Sequence, residues 1–141
     1  MTPHQIALVR SSFAMLEPIA DQAAALFYDN LFLADPSLRR LFRGDMKAQG
    51  AKLMQMIGAA VNLLDRPQQL DPVLQRLGRG HAGYGVTDAH YDTVGAALLR
   101  TLALGLGDEF SAEVRDAWAA MYAHVSTTMK SAAAQAEAMT A

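Results

Sequence analysis

The sequence predicts an all-α domain of about seven helices, and three observations carry that reading. No stretch alternates apolar and polar residues at period two over a useful length. Apolar residues recur instead at spacings of three and four, the signature of helices that bury one face. Between these segments stand short breaks containing proline, glycine or aspartate, so each helix carries its own start and stop signals. No internal repeat is visible. At 141 residues the chain is expected to form one domain, 1–141, large enough to bury a sizeable core and a flat cofactor.

Thr2-Pro3-His4-Gln5 reads as a capping box with proline in the first turn, and Ile6, Val9, Phe13 and Leu16 then mark one apolar face. Glu17-Pro18 interrupts the pattern. A second helix, from about Pro18 to Ala34, is apolar nearly all round, which predicts a central position with packing on several sides. Tyr28 lies on it, so its hydroxyl must find a partner inside the protein or in a pocket. Asp35-Pro36 caps a short third helix ending near Phe42. After the turn at Arg43-Gly44, Asp45 caps a long helix from Met46 to Leu64, striped by Gly50, Leu53, Ile57 and Val61. Gln49 borders that stripe, and Lys52 and Gln55 mark its wetter side. Asp65-Arg66-Pro67 closes this helix, and Asp71-Pro72 is expected to cap the next, which ends at His81. Thr87 and Asp88 start a helix carrying Tyr91, Val94, Leu98 and Leu102, closed by Gly105-Leu106-Gly107. Ser111 caps the last helix, along which Val114, Trp118, Met121, Val125 and Met129 align; the alanine-rich tail from about residue 132 is expected to fray.

Composition removes several classes of function. Over half the residues are hydrophobic (52%), yet no uncharged apolar run reaches the length of a membrane span. The N-terminus has no basic segment followed by an apolar core, so no signal peptide is read. Twelve basic against fourteen acidic residues, a net charge of −2, argue against nucleic acid as a partner. The absence of cysteine excludes disulfides, thiolate metal sites and covalent attachment of haem through Cys-x-x-Cys-His. The cytoplasm is the expected setting.

One stretch concentrates the chemistry: Leu77-Gly78-Arg79-Gly80-His81-Ala82-Gly83-Tyr84-Gly85-Val86. His81 shares a helical face with Leu74 and Leu77, so the imidazole points where the apolar side chains point. Spacing alone leaves two readings open: a buried histidine bonded to a neighbouring carbonyl, or a neutral imidazole bound to a metal or cofactor iron. His4, His90 and His124 read as structural or exposed.

The chain resembles the globins, above all the bacterial single-domain globins and the globin domain of flavohaemoglobins. The resemblance runs from the first helix to Trp118 and Tyr122. It is carried by the order and spacing of Leu31-Phe32, Asp35-Pro36, Leu41-Phe42, Lys52-Leu53-Met54, Ala59-Ala60-Val61, Leu77-Gly78-Arg79-Gly80-His81, Tyr84-Gly85-Val86 and His90-Tyr91-x-x-Val94-Gly95. It implies a globin fold around non-covalent haem b (iron protoporphyrin IX), with His81 as the proximal iron ligand. Phe42 matches the phenylalanine packed on the porphyrin. Tyr28, Gln49 and Leu53 match the distal set, and Tyr91 matches the tyrosine that supports the proximal histidine. Met56, Leu77 and Val86 complete the expected haem surroundings, while Lys52 and Arg79 are either propionate partners or solvated. Where flavohaemoglobins carry a glutamate late in the last helix, alignment on Trp118 gives Gln135. The function implied is reversible, tight binding of dioxygen for transport, storage or scavenging, with nitric oxide and carbon monoxide as further ligands. The alternative is a nitric oxide dioxygenase, and since no flavin or nicotinamide domain follows Ala141, a separate reductase is expected to serve it.

Overall fold

The structure is a computed structural model that describes residues 1–140, leaving aside the side chains of residues 137, 139 and 140. Its α-helices are α1 (Pro3–Leu16), α2 (Ala20–Ala34), α3 (Met46–Asn62), α4 (Pro67–Gly83), α5 (Asp88–Leu106) and α6 (Ala112–Thr140). Short 3₁₀ helices cover Glu17–Ile19, Pro36–Leu41 and Gly107–Glu109, and no strand occurs among the described residues. The expected short third helix is the 3₁₀ segment Pro36–Leu41. Its start is fixed by Asp35, whose carboxylate accepts from the Ser37 amide at 3.1 Å.

Local capping places the other starts. The Thr2–Gln5 box closes in both directions at 3.0 and 3.1 Å. Asp45 accepts from the Lys47 amide at 3.0 Å, and the Ser111 hydroxyl accepts from the Val114 amide at 3.2 Å. The expectation for α4 needs correcting. The helix starts at Pro67, and Pro72 lies inside it. Pro67 occupies the first turn, where a missing N–H costs nothing, and Leu70, 2% exposed, already packs in the core four residues before Leu74. Asp71 caps nothing; its carboxylate meets His124 Nε2 of α6 at 2.7 Å. The expectation for α2 is also too generous. Gln22, Ala25, Asp29 and Leu33 form an exposed face, with Leu33 78% exposed.

Packing brings α6 against α1, α4 and α5, while α2 lies against α3 and α5. Trp118 anchors the first contact: it is buried, and its indole N–H donates to the buried Ser12 hydroxyl at 2.8 Å. Asn30 of α2 donates to Thr101 of α5 at 3.1 Å, so the polar group inside that interface is satisfied. The α4–α6 contact is closest at Gly78. A Cβ there would stand 2.3 Å from the Met129 carbonyl oxygen, so only glycine lets the two backbones meet. α6 continues past Met129 with Ala132 and Ala133 buried. Among the described residues, no helix is long and apolar enough to cross a membrane.

Candidate functional site

His81 lies in the last turn of α4, and the chain beyond it explains the cluster of glycines. Gly85 takes φ = +81°, a conformation that favours glycine. The Gly85 amide then donates to the Ala82 carbonyl at 3.2 Å, and the Val86 amide reaches back to the His81 carbonyl at 3.2 Å. This pair of bonds is a Schellman cap, and it folds Val86 back beside His81. Together with the Gly78 contact one turn earlier, it fixes the histidine's position from both sides.

The imidazole itself is oriented by backbone. Nδ1 stands 2.6 Å from the Leu77 carbonyl oxygen. A carbonyl only accepts, so Nδ1 carries a proton, and the tautomer this bond selects has its lone pair at Nε2. His81 lines a cavity between α3, α4, α5 and α6 whose wall is otherwise almost wholly apolar. Of the two readings of the sequence, the bond to a neighbouring carbonyl is the one present, at Leu77.

Leu53, Met56, Leu77, Val86 and Tyr91 line the same cavity, together with Trp118, Met121 and Met129 of α6. Met56 is 40% exposed, so the cavity reaches solvent on the α3 side. The Tyr91 hydroxyl is buried and without a hydrogen-bond partner, and burial, with the Asp88 charge second, raises its pKa. Behind it, Tyr122 of α6 donates to the Tyr91 carbonyl, and burial holds its phenol protonated to high pH.

Phe42, Tyr28, Gln49 and Lys52 are not part of that wall. Tyr28 and Gln49 do come together: the Tyr28 hydroxyl donates to the backbone carbonyl of Gln49 at 3.4 Å. The Gln49 carboxamide turns away to donate to the Arg43 carbonyl at 3.3 Å. Burial raises the pKa of Tyr28, so it remains a donor. Phe42 stacks edge-on to Tyr28 at 5.2 Å and to Phe32 at 5.5 Å, in an aromatic cluster that also includes Phe27, a residue of the cavity wall. Lys52, Arg79 and Gln135 are exposed.

His90, read from the sequence as structural or exposed, is a structural capping residue whose place on the cavity wall the sequence did not show. It lines the cavity, and its Nδ1 accepts from the Thr87 amide at 3.0 Å in a second capping box. The signal was present: Thr87 and His90 have capping-box spacing, with histidine in the place of the usual glutamate or glutamine.

The donor set suits one kind of metal. Among the described residues, no three His, Asp or Glu side chains converge, so a bare ion would find fewer than three such ligands. Iron held in a macrocycle requires only one from the protein, and an apolar slot beside it. The match to the family model for globins spans residues 25–129. This chain belongs to the globin family. Membership implies haem binding, and the residues present fit the group.

Among relatives of this globin, a flavohemoprotein of Deinococcus radiodurans is 30% identical over 132 residues, covering 92% of this chain and 33% of the relative. The globin thus spans about a third of the length of the flavohemoproteins it matches. An anaerobic nitrite reductase of Arabidopsis thaliana is 30% identical, with 96% of each chain covered. The solved structure of an engineered carbene transferase, a variant of a putative nitric oxide dioxygenase from Rhodothermus marinus, superposes with a TM-score of 0.88 at 26% identity, covering 99% of this chain and 97% of that one.

Proposed function

We propose that this globin holds haem b through His81 and binds dioxygen reversibly and tightly, in the cytoplasm, for transport, storage or scavenging. One observation supports it most directly: the Nδ1 contact with the Leu77 carbonyl commits the only unclaimed lone pair of His81 to Nε2, inside an apolar cavity. Haem held by His81 would supply an iron that takes up small gaseous ligands, dioxygen, nitric oxide and carbon monoxide. Leu53, Leu77 and Val86, with the partly exposed Met56 at the solvent side, give the slot an apolar lining. A carbonyl is a weaker acceptor than a carboxylate, so His81 remains a neutral, moderately donating ligand. We assign the ligand side to Tyr28 and Gln49. Their hydroxyl and carboxamide rest on backbone carbonyls at 3.4 and 3.3 Å, long bonds that are cheaply exchanged for a polar ligand. Phe42 buttresses Tyr28 from the side.

The second reading is a nitric oxide dioxygenase supported by a reductase, and the near-complete overlap with the Rhodothermus marinus protein favours it. Stopped-flow addition of nitric oxide to the oxygenated protein, with and without a reductase, separates the two. Conversion that stops after one equivalent even with reductase present supports binding or scavenging. Sustained turnover supports the dioxygenase. A ferrous protein with no five-coordinate haem spectrum would remove both.

A further inference from the structure

Lys130, next to Met129 on α6, is not an ordinary surface lysine. Its ammonium lies over the Tyr91 ring, 5.7 Å from the centroid, and 3.7 Å from an Asp92 carboxylate oxygen. The lysine side chain is 29% exposed against 85% for Asp92. The ring it covers lines the cavity shared with His81, and the Tyr91 hydroxyl has no hydrogen-bond partner. A cation is attracted to the face of an aromatic ring, and a charge largely withdrawn from water is screened less than one immersed in it. Asp92 and Asp88, both exposed, therefore offset the lysine only in part. The wall beside His81 holds a cation against a phenol whose proton nothing claims.

Resting on the haem reading above, we propose that Lys130 is a positioning residue that acts through Tyr91 to keep the His81 side of the pocket electropositive, favouring ferrous over ferric haem. Two effects share this sign. Ferric haem carries one more positive charge than ferrous haem, so a nearby ammonium destabilises it more. An ammonium on the ring also makes the phenol a poorer acceptor. Tyr91 then does not compete with Leu77 for the Nδ1 proton, and the imidazole does not become more electron-donating. The ferrous state is the one that takes up dioxygen.

The test is a redox titration of the full haem-loaded chain with Lys130→Met, Lys130→Arg and Asp92→Asn. Lys130→Met should lower the ferrous-to-ferric ratio at a fixed applied potential by about threefold or more. Lys130→Arg, which keeps the charge and stacks on aromatic faces, should restore it. Asp92→Asn should leave the ratio unchanged or raise it. If Lys130→Met does not fold, Lys130→Gln carries the same expectation. A wild-type ratio in the neutral variant overturns the proposal. So does an equal fall in Asp92→Asn, which would assign the effect to the tie between α5 and α6. A wild-type chain that takes up no haem, or takes it up equally in His81→Ala, overturns the haem reading itself, and the absorption spectrum reveals this before any titration.

Discussion

On the α4–α6 side of the cavity, His81 is held almost entirely by backbone. The Leu77 carbonyl sets its tautomer, the Schellman cap at Gly85 sets where α4 stops, and the Gly78 contact with Met129 sets how deep the helix sits. On the α2–α3 side, Tyr28 and Gln49 are held by single long hydrogen bonds to the Gln49 and Arg43 carbonyls, among aromatic rings in edge-on contact. The difference is one of rigidity. On the proposed function, the rigidly held group is the iron ligand, and the donors to a transient ligand are those whose bonds cost little to exchange.

The comparison is broken most completely at His81. His81→Ala should abolish stable haem retention, measured as haem content after gel filtration, because His90, the other imidazole on the cavity wall, spends its Nδ1 lone pair on the Thr87 amide. Full haem content with an unchanged ferrous spectrum would show that the rigid wall is not the ligand wall. Gly78→Ala attacks the scaffold instead of the ligand. A methyl group 2.3 Å from a backbone oxygen must separate α4 from α6, so a loss of about 3 kcal/mol, the upper part of the overpacking range, is expected in denaturant unfolding. Wild-type stability would mean the helices can slide apart freely.

The aromatic cluster around Tyr28 should respond in kinetics and hold its fold. Tyr28→Phe removes a donor and keeps the ring; a hydrogen bond to a charged acceptor is worth about 1.5–3 kcal/mol, so dioxygen should dissociate roughly ten- to hundredfold faster. Carbon monoxide, less polar when bound, should change far less. Equal changes for both gases in flash photolysis would reduce Tyr28 to a shape effect.

The smallest effect concerns both regions together. Burial raises the pKa values of Tyr28, Tyr91 and Tyr122 above the ordinary phenol value of 10.0. Above that pH the unfolded chain releases phenolic protons that the folded chain keeps. Stability is therefore complete below it and falls as pH rises through the interval between the unfolded and folded values, with each such tyrosine adding to the slope. Tyr28→Phe should flatten the alkaline limb of the unfolding curve. An unaltered limb would place Tyr28 in water.

Much of this was legible in the sequence because much of it is local. The caps at Thr2, Asp35 and Asp45, the glycine break after His81 and the placement of His81 on the apolar face of α4 all depend on residues within about five positions of one another. The chain needs no tertiary contact to specify them. The exception at Asp71-Pro72 shows the limit of that rule: a cap signal lost to Leu70, whose burial carried α4 back to Pro67.

What only the tertiary structure decided was the rotation of each helix about its axis and the neighbours that rotation supplies. The sequence put Gln49 beside the apolar stripe of α3, but the turn at Arg43 drew its carboxamide away from the cavity. It left His90 on a flank, and the packing of α5 brought it into the wall. It aligned Gln135 with the proximal region, and α6 turned that residue to solvent while laying Lys130 over Tyr91. The period of a helix tells which residues share a face. Which atoms that face meets depends on contacts between residues far apart in the chain, such as Gly78 with Met129 and Asn30 with Thr101, and no local pattern encodes them.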